Sequence, residues 1–271
     1  MNKYFVCSDI HSFYDEWMDA LDKAGFDYDN PDHIIILLGD LLDRGDQPRD
    51  CLRFICDLVD KNRAICIIGN HEDLMHTLLK FKWPAEYDYH NGTKKTVDDL
   101  VEDPSETLTF QDKCYTLSVD EQWCKYYAEC KKHWYYETEH YIFTHSYLPY
   151  NSYDCKLLEN WRDENSARFY YSKWSDEAIW ANPFLMWERN GKTYIDGKTL
   201  VCGHWNTSWA HREYHGYDKE YLERIETMWM DSEGVIHPTC CYDIFEDEGI
   251  IGLDACTVVS KQVNILILEE L

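Results

Sequence analysis

Five short apolar runs in this chain end on residues that can bind a metal ion or carry a proton. Phe5-Val6-Cys7-Ser8 leads to Asp9 and His11, and Ile36-Leu37-Leu38-Gly39 leads to Asp40. Ile67-Ile68-Gly69 leads to Asn70 and His71, Ile142-Phe143-Thr144 to His145, and Val201-Cys202-Gly203 to His204. A single Asp or His at the end of a strand is ordinarily a cap or turn residue; five such endings in one chain form a pattern. Asp9, His11, Asp40, Asn70, His145 and His204 together offer oxygen and nitrogen donors suited to divalent cations of intermediate hardness, manganese first, with iron or zinc as alternatives. No thiolate set of the structural-zinc kind accompanies them. A carboxylate can bridge two cations about 3.5–4 Å apart, and such a pair clamps the attacking and leaving oxygens of a phosphoryl displacement. The expected chemistry is that of a binuclear hydrolase.

The elements that must position these residues are legible in the hydrophobic pattern. Tyr4–Cys7, His33–Leu38, Ala64–Ile68, Tyr141–Thr144, Thr199–Cys202 and Val263–Leu268 are continuous, Ile- and Val-rich, and too short for core helices, which predicts buried strands. Phe13–Ala24 and Gln47–Lys61 carry apolar residues at helical spacing. Strand and helix alternate with starts about thirty residues apart, the size of a βαβ unit, which predicts an α/β fold with a mainly parallel sheet. Ligands of such a sheet bind beyond the carboxyl ends of its strands, so the five endings are expected on one rim. Residues 73–140, with helical patches Leu74–Phe81 and Asp120–Lys132 around an acidic loop Asp98–Ser105, are read as one insertion into a single domain spanning 1–271. Residues 147–198, rich in Trp and Tyr, are read as a second. The aromatic rings of the latter (Trp161, Tyr170, Tyr171, Trp174, Trp180 and Trp187) are expected to pack a lid onto the core, with a substrate platform as the alternative.

Composition narrows the function. The 271 residues are 45% hydrophobic and 28% charged, an ordinary globular composition. Lys and Arg number 26 against 51 Asp and Glu, a net charge of −25, so no global positive field attracts nucleic acid or an anionic membrane surface. A phosphorylated substrate must find its positive charge at the site itself. Twelve cysteines without a CxxC pair fit a reduced, cytoplasmic protein, with Cys7, Cys66 and Cys202 as small hydrophobes in apolar runs. The opening MNKYFVCSD reaches charge too soon for a signal-peptide core, and no apolar stretch approaches the ~20 residues of a membrane span.

Asp9-Ile10-His11, then Gly39-Asp40-Leu41-Leu42-Asp43-Arg44-Gly45, Gly69-Asn70-His71-Glu72, His145 and Gly203-His204 resemble the ordered motifs of the calcineurin-like metallophosphoesterases. The form GDxxDRG followed by GNHE is similar to the phosphoprotein phosphatase branch, which includes the bacteriophage lambda protein phosphatase. The match is dense over residues 1–75 and sparse but ordered over 140–205. The resemblance implies a calcineurin-like fold, parallel sheets sandwiched by helices. It implies that Asp9 and His11 hold a first cation, that Asp40 bridges, and that Asn70, His145 and His204 hold a second. It further implies direct attack on phosphorus by water activated between the cations, His71 as the proton donor to the leaving oxygen, Asp43 fixing the His71 tautomer, and Arg44 gripping phosphate. These roles agree with the chemistry, since an alkoxide leaves poorly without a proton.

Simpler readings stand beside several of these. Arg44 could pair with Asp46 or Asp50, and Asp43 could cap a helix. Glu72 is expected to sit favourably in the first turn of its helix, with support of the centre as the alternative. Gly39, Gly45, Gly69 and Gly203 are expected to permit tight turns. His211 and His215, one helical turn apart, have no supporting motif and are not taken as a metal pair.

The chain also departs from the family pattern. Asn206 stands where many members have a second histidine after Gly-His, which favours the protein-phosphatase-like branch and leaves the first cation few ligands. Ser12 and Ser146 replace small residues. A second phosphate-gripping arginine is absent after Ile179-Trp180, where Ala181, Asn182 and Pro183 follow, leaving Arg189 or Arg168 as substitutes. The leading expectation is a metal-dependent phosphomonoesterase of the protein serine/threonine phosphatase type. A hydrolase of dinucleoside polyphosphates or other nucleotides is the enzymatic alternative, and a catalytically silent binding module is the competing class.

Overall fold

The computed structural model describes residues 2–162, 177–215, 228–230, 236–238 and 241–269. The strands are β1 (Lys3–Cys7), β2 (His33–Leu37), β3 (Ala64–Cys66), β4 (Tyr135–Glu137), β5 (Tyr141–Thr144), β6 (Thr199–Cys202), β7 (Met228–Met230), β8 (Ile236–Pro238), β9 (Phe245–Asp247), β10 (Ile250–Gly252) and β11 (Leu266–Leu268). They form two main sheets, in the orders β11-β1-β2-β3 and β4-β5-β6-β10-β9, and β7 and β8 form a separate ribbon. Parallel pairs make the centre of each main sheet, with β1, β2 and β3 together in one and β5, β6 and β10 in the other. Antiparallel β11 closes one sheet, and antiparallel β4 and β9 flank the other.

The continuous apolar runs follow from layering. Phe5, Cys7, Ile35 and Leu37 point into a core shared with helices, while Val6 and Ile36, on the opposite faces of the same strands, join Phe143, Val201 and Ile251 of the second sheet. Both faces of each central strand are therefore dry, and alternation disappears from the sequence. Ile142, Leu200 and Ile250 face a third core containing Phe184 and Trp187.

Helices α1 (Tyr14–Lys23) and α2 (Pro48–Asp60) lie one residue inside the expected spans, whose ends are the capping positions. Further on come α3 (Asn70–Phe81), α4 (Glu86–His90), α5 (Thr93–Leu100), α6 (Phe110–Ser118), α7 (Glu121–Cys130) and α8 (Pro183–Arg189). Two boundaries correct the sequence reading. Helix α3 starts at Asn70 rather than Leu74, because Glu72 accepts the Gly69 N–H and caps it. The segment Asp98–Ser105 is not all loop, because α5 runs to Leu100, with Lys94 and Lys95 paired to Asp98 and Asp99 one turn on. Residues of α3, α5, α6 and α7 share the core of α1 and α2. Trp161 and Trp187 are buried, as expected of a packed segment; Tyr170, Tyr171 and Trp174 lie outside the described residues. No described helix is long and apolar enough to cross a membrane.

Candidate metal centre

Each central strand delivers its ligand-bearing residues just past its carboxyl end. Two sheets meet there, rather than one continuous rim. The β1 and β2 endings are stitched by His11 N–H to Asp40 O at 3.0 Å and Ser12 N–H to Leu41 O at 2.8 Å. His145, from the second sheet, donates Nδ1–H to Leu38 O in the first at 2.7 Å. The His204 N–H reaches Asp9 Oδ2 at 2.9 Å, and Ser8 Oγ–H donates to the same oxygen.

Asp40 stands between two groups of donors. Its Oδ2 lies 3.8 Å from His11 Nε2, which is 3.9 Å from Asp9 Oδ1. Its Oδ1 lies 3.5 Å from His145 Nε2. That nitrogen is also 2.8 Å from Asn70 Oδ1 and 3.2 Å from His204 Nδ1. Ligand atoms about 2.0–2.2 Å from a common cation are spaced on this scale. All six residues taken from the sequence as metal ligands converge here.

Tautomers follow from the outer partners. His11 Nδ1 and His145 Nδ1 each face a backbone carbonyl, Leu42 O at 3.0 Å and Leu38 O at 2.7 Å, so both donate from Nδ1 and turn a bare Nε2 lone pair inward. His204 turns Nδ1 inward, toward His145 Nε2 at 3.2 Å. Burial holds the His11 and His145 rings well below the ordinary imidazole range, and lowers His204 to about 4. Burial likewise pushes the Asp9 and Asp40 carboxyls up, with Asp254 adding to the effect at Asp9, and Asp9 and Glu72 at Asp40. Neutral nitrogen lone pairs aimed at buried carboxylates that repel one another constitute a donor set that divalent cations fit.

A second cluster adjoins it. His71 Nδ1–H donates to Asp43 Oδ2 at 2.7 Å, and Arg44 Nη2–H reaches His71 Nε2 at 3.2 Å. His71 Nε2 is 3.8 Å from Asp40 Oδ2, so its open edge borders the centre and the ring could itself join His11 and Asp40 around a cation. The ion pairs considered for Arg44 do not form, because Asp46 pairs with Lys95 and Asp50 with Arg53. Asp43 does not cap α2, whose N-cap is Gln47. Asp9, His11, Asp40, Asp43, Arg44 and His204 all have φ between 51° and 74°, a left-handed conformation that costs of order 1 kcal/mol each. Such strain concentrated on chemistry-bearing residues is a mark of a functional site.

Glu72 supports the centre rather than only its own helix turn, through bonds to three backbone N–H groups and to Tyr126. Gly39 turns with φ +86°, but Gly69 is needed for room, since a Cβ there would lie 2.3 Å from Asp40 Oδ1. Asn206 caps the short helix Thr207–Ala210 through Trp209 N–H at 3.1 Å and supplies nothing to the cluster. The Arg189 guanidinium bonds Cys155 Sγ; Arg168 lies outside the described residues. His211 and His215 touch at 3.2 Å beside Asp243, apart from the cluster. Sequence reasoning missed Asp254, a buried carboxylate beside Asp9 that burial raises to about 6, and Thr93, which bonds Asp43. Neither carries a local motif.

Two sheets, parallel at their centres, thus meet at one buried cluster of carboxylate, amide and imidazole donors around Asp40. The profile of the calcineurin-like phosphoesterases matches residues 3–235, and the chain belongs to that family. It is 30% identical over 104 residues to the asymmetrical bis(5'-nucleosyl)-tetraphosphatase PrpE of Halalkalibacterium halodurans, covering 36% of this chain and 41% of that protein. It is 31% identical over 130 residues to the protein of the same name in Bacillus subtilis, covering 46% and 49%. The chain thus spans under half the length of these curated relatives. Among solved structures, the cold-active protein-tyrosine phosphatase of Shewanella sp. superposes with a TM-score of 0.51 at 16% identity, covering 99% of this chain and 76% of that one, a likeness of fold.

Proposed function

We propose that this protein hydrolyses dinucleoside polyphosphates, in preference to the phosphoprotein substrates that its motifs first suggest. The observation that carries this reading is Trp180. Its ring is 41% exposed and stands edge-on to His204, centroids 6.2 Å apart, at the border of the donor cluster. An open indole there offers a stacking face for a nucleobase. The names of the relatives in Halalkalibacterium and Bacillus support the same substrate class.

In this reading Asp9, His11 and Asp40 hold one divalent cation, and Asp40, Asn70, His145 and His204 hold the other, with manganese the first candidate. When bound, the cations neutralise phosphoryl charge and acidify water for attack. Arg44 contributes a planar fork of donors for phosphate oxygens, moving off His71 Nε2 to do so. That movement leaves His71 Nε2 free to carry a proton to the departing oxygen, while Asp43 holds Nδ1–H and keeps the ring oriented.

The test is turnover by the manganese-loaded protein of diadenosine tetraphosphate against a phosphopeptide panel, with products separated by chromatography. Nucleotide products from the tetraphosphate, at a kcat/KM well above that of any phosphopeptide, are expected, and AMP with ATP or paired ADP reveals which bond is cut. A reversed preference overturns the substrate assignment. His71→Ala is expected to lower kcat by about two to four orders of magnitude on poor leaving groups with metal content unchanged.

A further inference from the structure

Helix α5 opens against the back of the His71 cluster. Asn91 closes α4, and Gly92, at φ +86°, turns the chain into α5. A Cβ on Gly92 would lie 2.7 Å from the Arg44 backbone nitrogen, so this turn rests directly on the Asp43-Arg44 backbone. The next residue, Thr93, is fully buried, and its Oγ–H donates to Asp43 Oδ2 at 2.7 Å. That same oxygen accepts His71 Nδ1–H. Asp43 Oδ1 is buried and meets no donor among the described residues. One oxygen therefore carries both side-chain bonds, and only two donors define the carboxylate's rotation. His71 is the group being oriented, which leaves Thr93 as the anchor. The Thr93 hydroxyl is not spent on helix capping, since Gly92 occupies the N-cap and no side chain caps α5.

We propose that Thr93 is a positioning residue for phosphoester hydrolysis, holding Asp43 so that the carboxylate fixes the His71 ring and its Nδ1–H tautomer. The inference rests on the reading of His71 as the proton donor. Without the hydroxyl, the Asp43 carboxylate is free to turn Oδ1 toward His71 or away from it, and the ring loses its single orientation. The proton then reaches the leaving oxygen less often, and the loss grows with the basicity of the leaving group.

The variants Thr93→Val, which keeps the volume, Thr93→Ala and Thr93→Ser are compared in the full manganese-loaded chain, with folding verified by thermal melting. On phenyl phosphate, Thr93→Val and Thr93→Ala are expected to lower kcat about tenfold with little change in KM, the scale of losing a hydrogen bond to a charged acceptor, and by less on diadenosine tetraphosphate, whose nucleotide leaving group is less basic. On 2,4-dinitrophenyl phosphate, whose leaving group needs no proton, the loss shrinks to within about twofold. Thr93→Ser restores the parent values. An equal loss on all substrates overturns the proposal, because a general distortion of the centre predicts that result. A readout independent of turnover is the downfield imidazole N–H proton of His71, assigned by its disappearance in His71→Ala. Its exchange with water is expected to quicken about tenfold in Thr93→Val, and unchanged exchange overturns the proposal for any substrate. If His71→Ala leaves turnover intact while Thr93→Val still frees this proton, the role of His71 fails and the anchoring by Thr93 stands.

Discussion

The Glu72 carboxylate receives the Asp40 backbone N–H at 2.9 Å, so the carboxylate that stands between the two groups of donors is held in place by a residue two positions beyond Asn70. Glu72 also accepts from Gly69 N–H at 2.9 Å, Leu41 N–H at 3.1 Å and Tyr126 O–H at 2.8 Å, and is itself buried. One side chain thus fastens the β2 ending to the β3 ending, and both endings carry donors of the cluster. Replacing it with alanine strands three buried backbone donors. Glu72→Ala is expected to destabilise folding by about 3 kcal/mol and to weaken metal binding at both positions of the centre. Denaturant melts and calorimetric manganese titration measure the two effects. Parental affinity in a folded variant would show that Asp40 keeps its place without this brace.

Metal removal is expected to be stepwise. Among the described residues, Asp9 and His11 gather on one side of Asp40, where His71 Nε2 is taken by Arg44, whereas Asn70, His145 and His204 gather on the other, and Asn206 is committed to its helix cap. Fewer protein ligands mean a more exchangeable cation. Dialysis of manganese-loaded protein, followed by elemental analysis, should pass through a plateau near one ion per chain before reaching none. Two ions lost together would argue that the sides are equivalent, with His71 or Asp254 serving as the missing ligand.

Much of this donor cluster is legible in the sequence because its residues follow the strands immediately, and a strand dry on both faces announces itself as a continuous apolar run. All six expected strands form, although β11 covers only Leu266–Leu268 of its expected span. The strands β4, β9 and β10 escaped notice because each has only three residues and the register comes from a neighbour, as where Ile250 aligns with Leu200. Support roles were hidden for another reason. Glu72 acts on a backbone 31 and 32 residues away, and Thr93 on a side chain 50 residues away, separations at which periodicity carries no signal. Polarity marks such a residue as able to bond; only the fold assigns its partner.

Acid should erase one identifiable contribution to stability. Glu137 on β4 accepts Arg162 through both oxygens, at 2.8 and 2.7 Å, and Lys198 Nζ at 2.9 Å. These donors, Arg162 foremost, hold its carboxyl down to about 2. A depressed carboxyl contributes stability above its unfolded value, ordinarily about 4.3, and loses it as pH falls toward the folded value. Arg162 is 39% exposed, so solvent screening cuts the contribution to about 1 kcal/mol. Glu137→Gln should therefore unfold more easily than the parent by that amount near neutral pH, and by about half as much near pH 3. A difference independent of pH in urea melts would assign the effect to packing.

Trp180 offers the sharpest separation between a nucleotide substrate and a simple phosphoester. Ala178 and Ile179 of its short turn are buried and anchor the backbone, and His204 is held by its own N–H to Asp9. Removing the ring should therefore leave His204 in place. Stacking on an aromatic side chain contributes about 1–3 kcal/mol per base. Trp180→Ala is accordingly expected to raise KM for diadenosine tetraphosphate by about 5- to 150-fold, while kcat/KM for 4-nitrophenyl phosphate stays within about twofold. Trp180→Phe, which retains an aromatic face, should recover most of the difference. Equal losses on both substrates would mean that the ring packs the centre through His204 and that the base is recognised elsewhere.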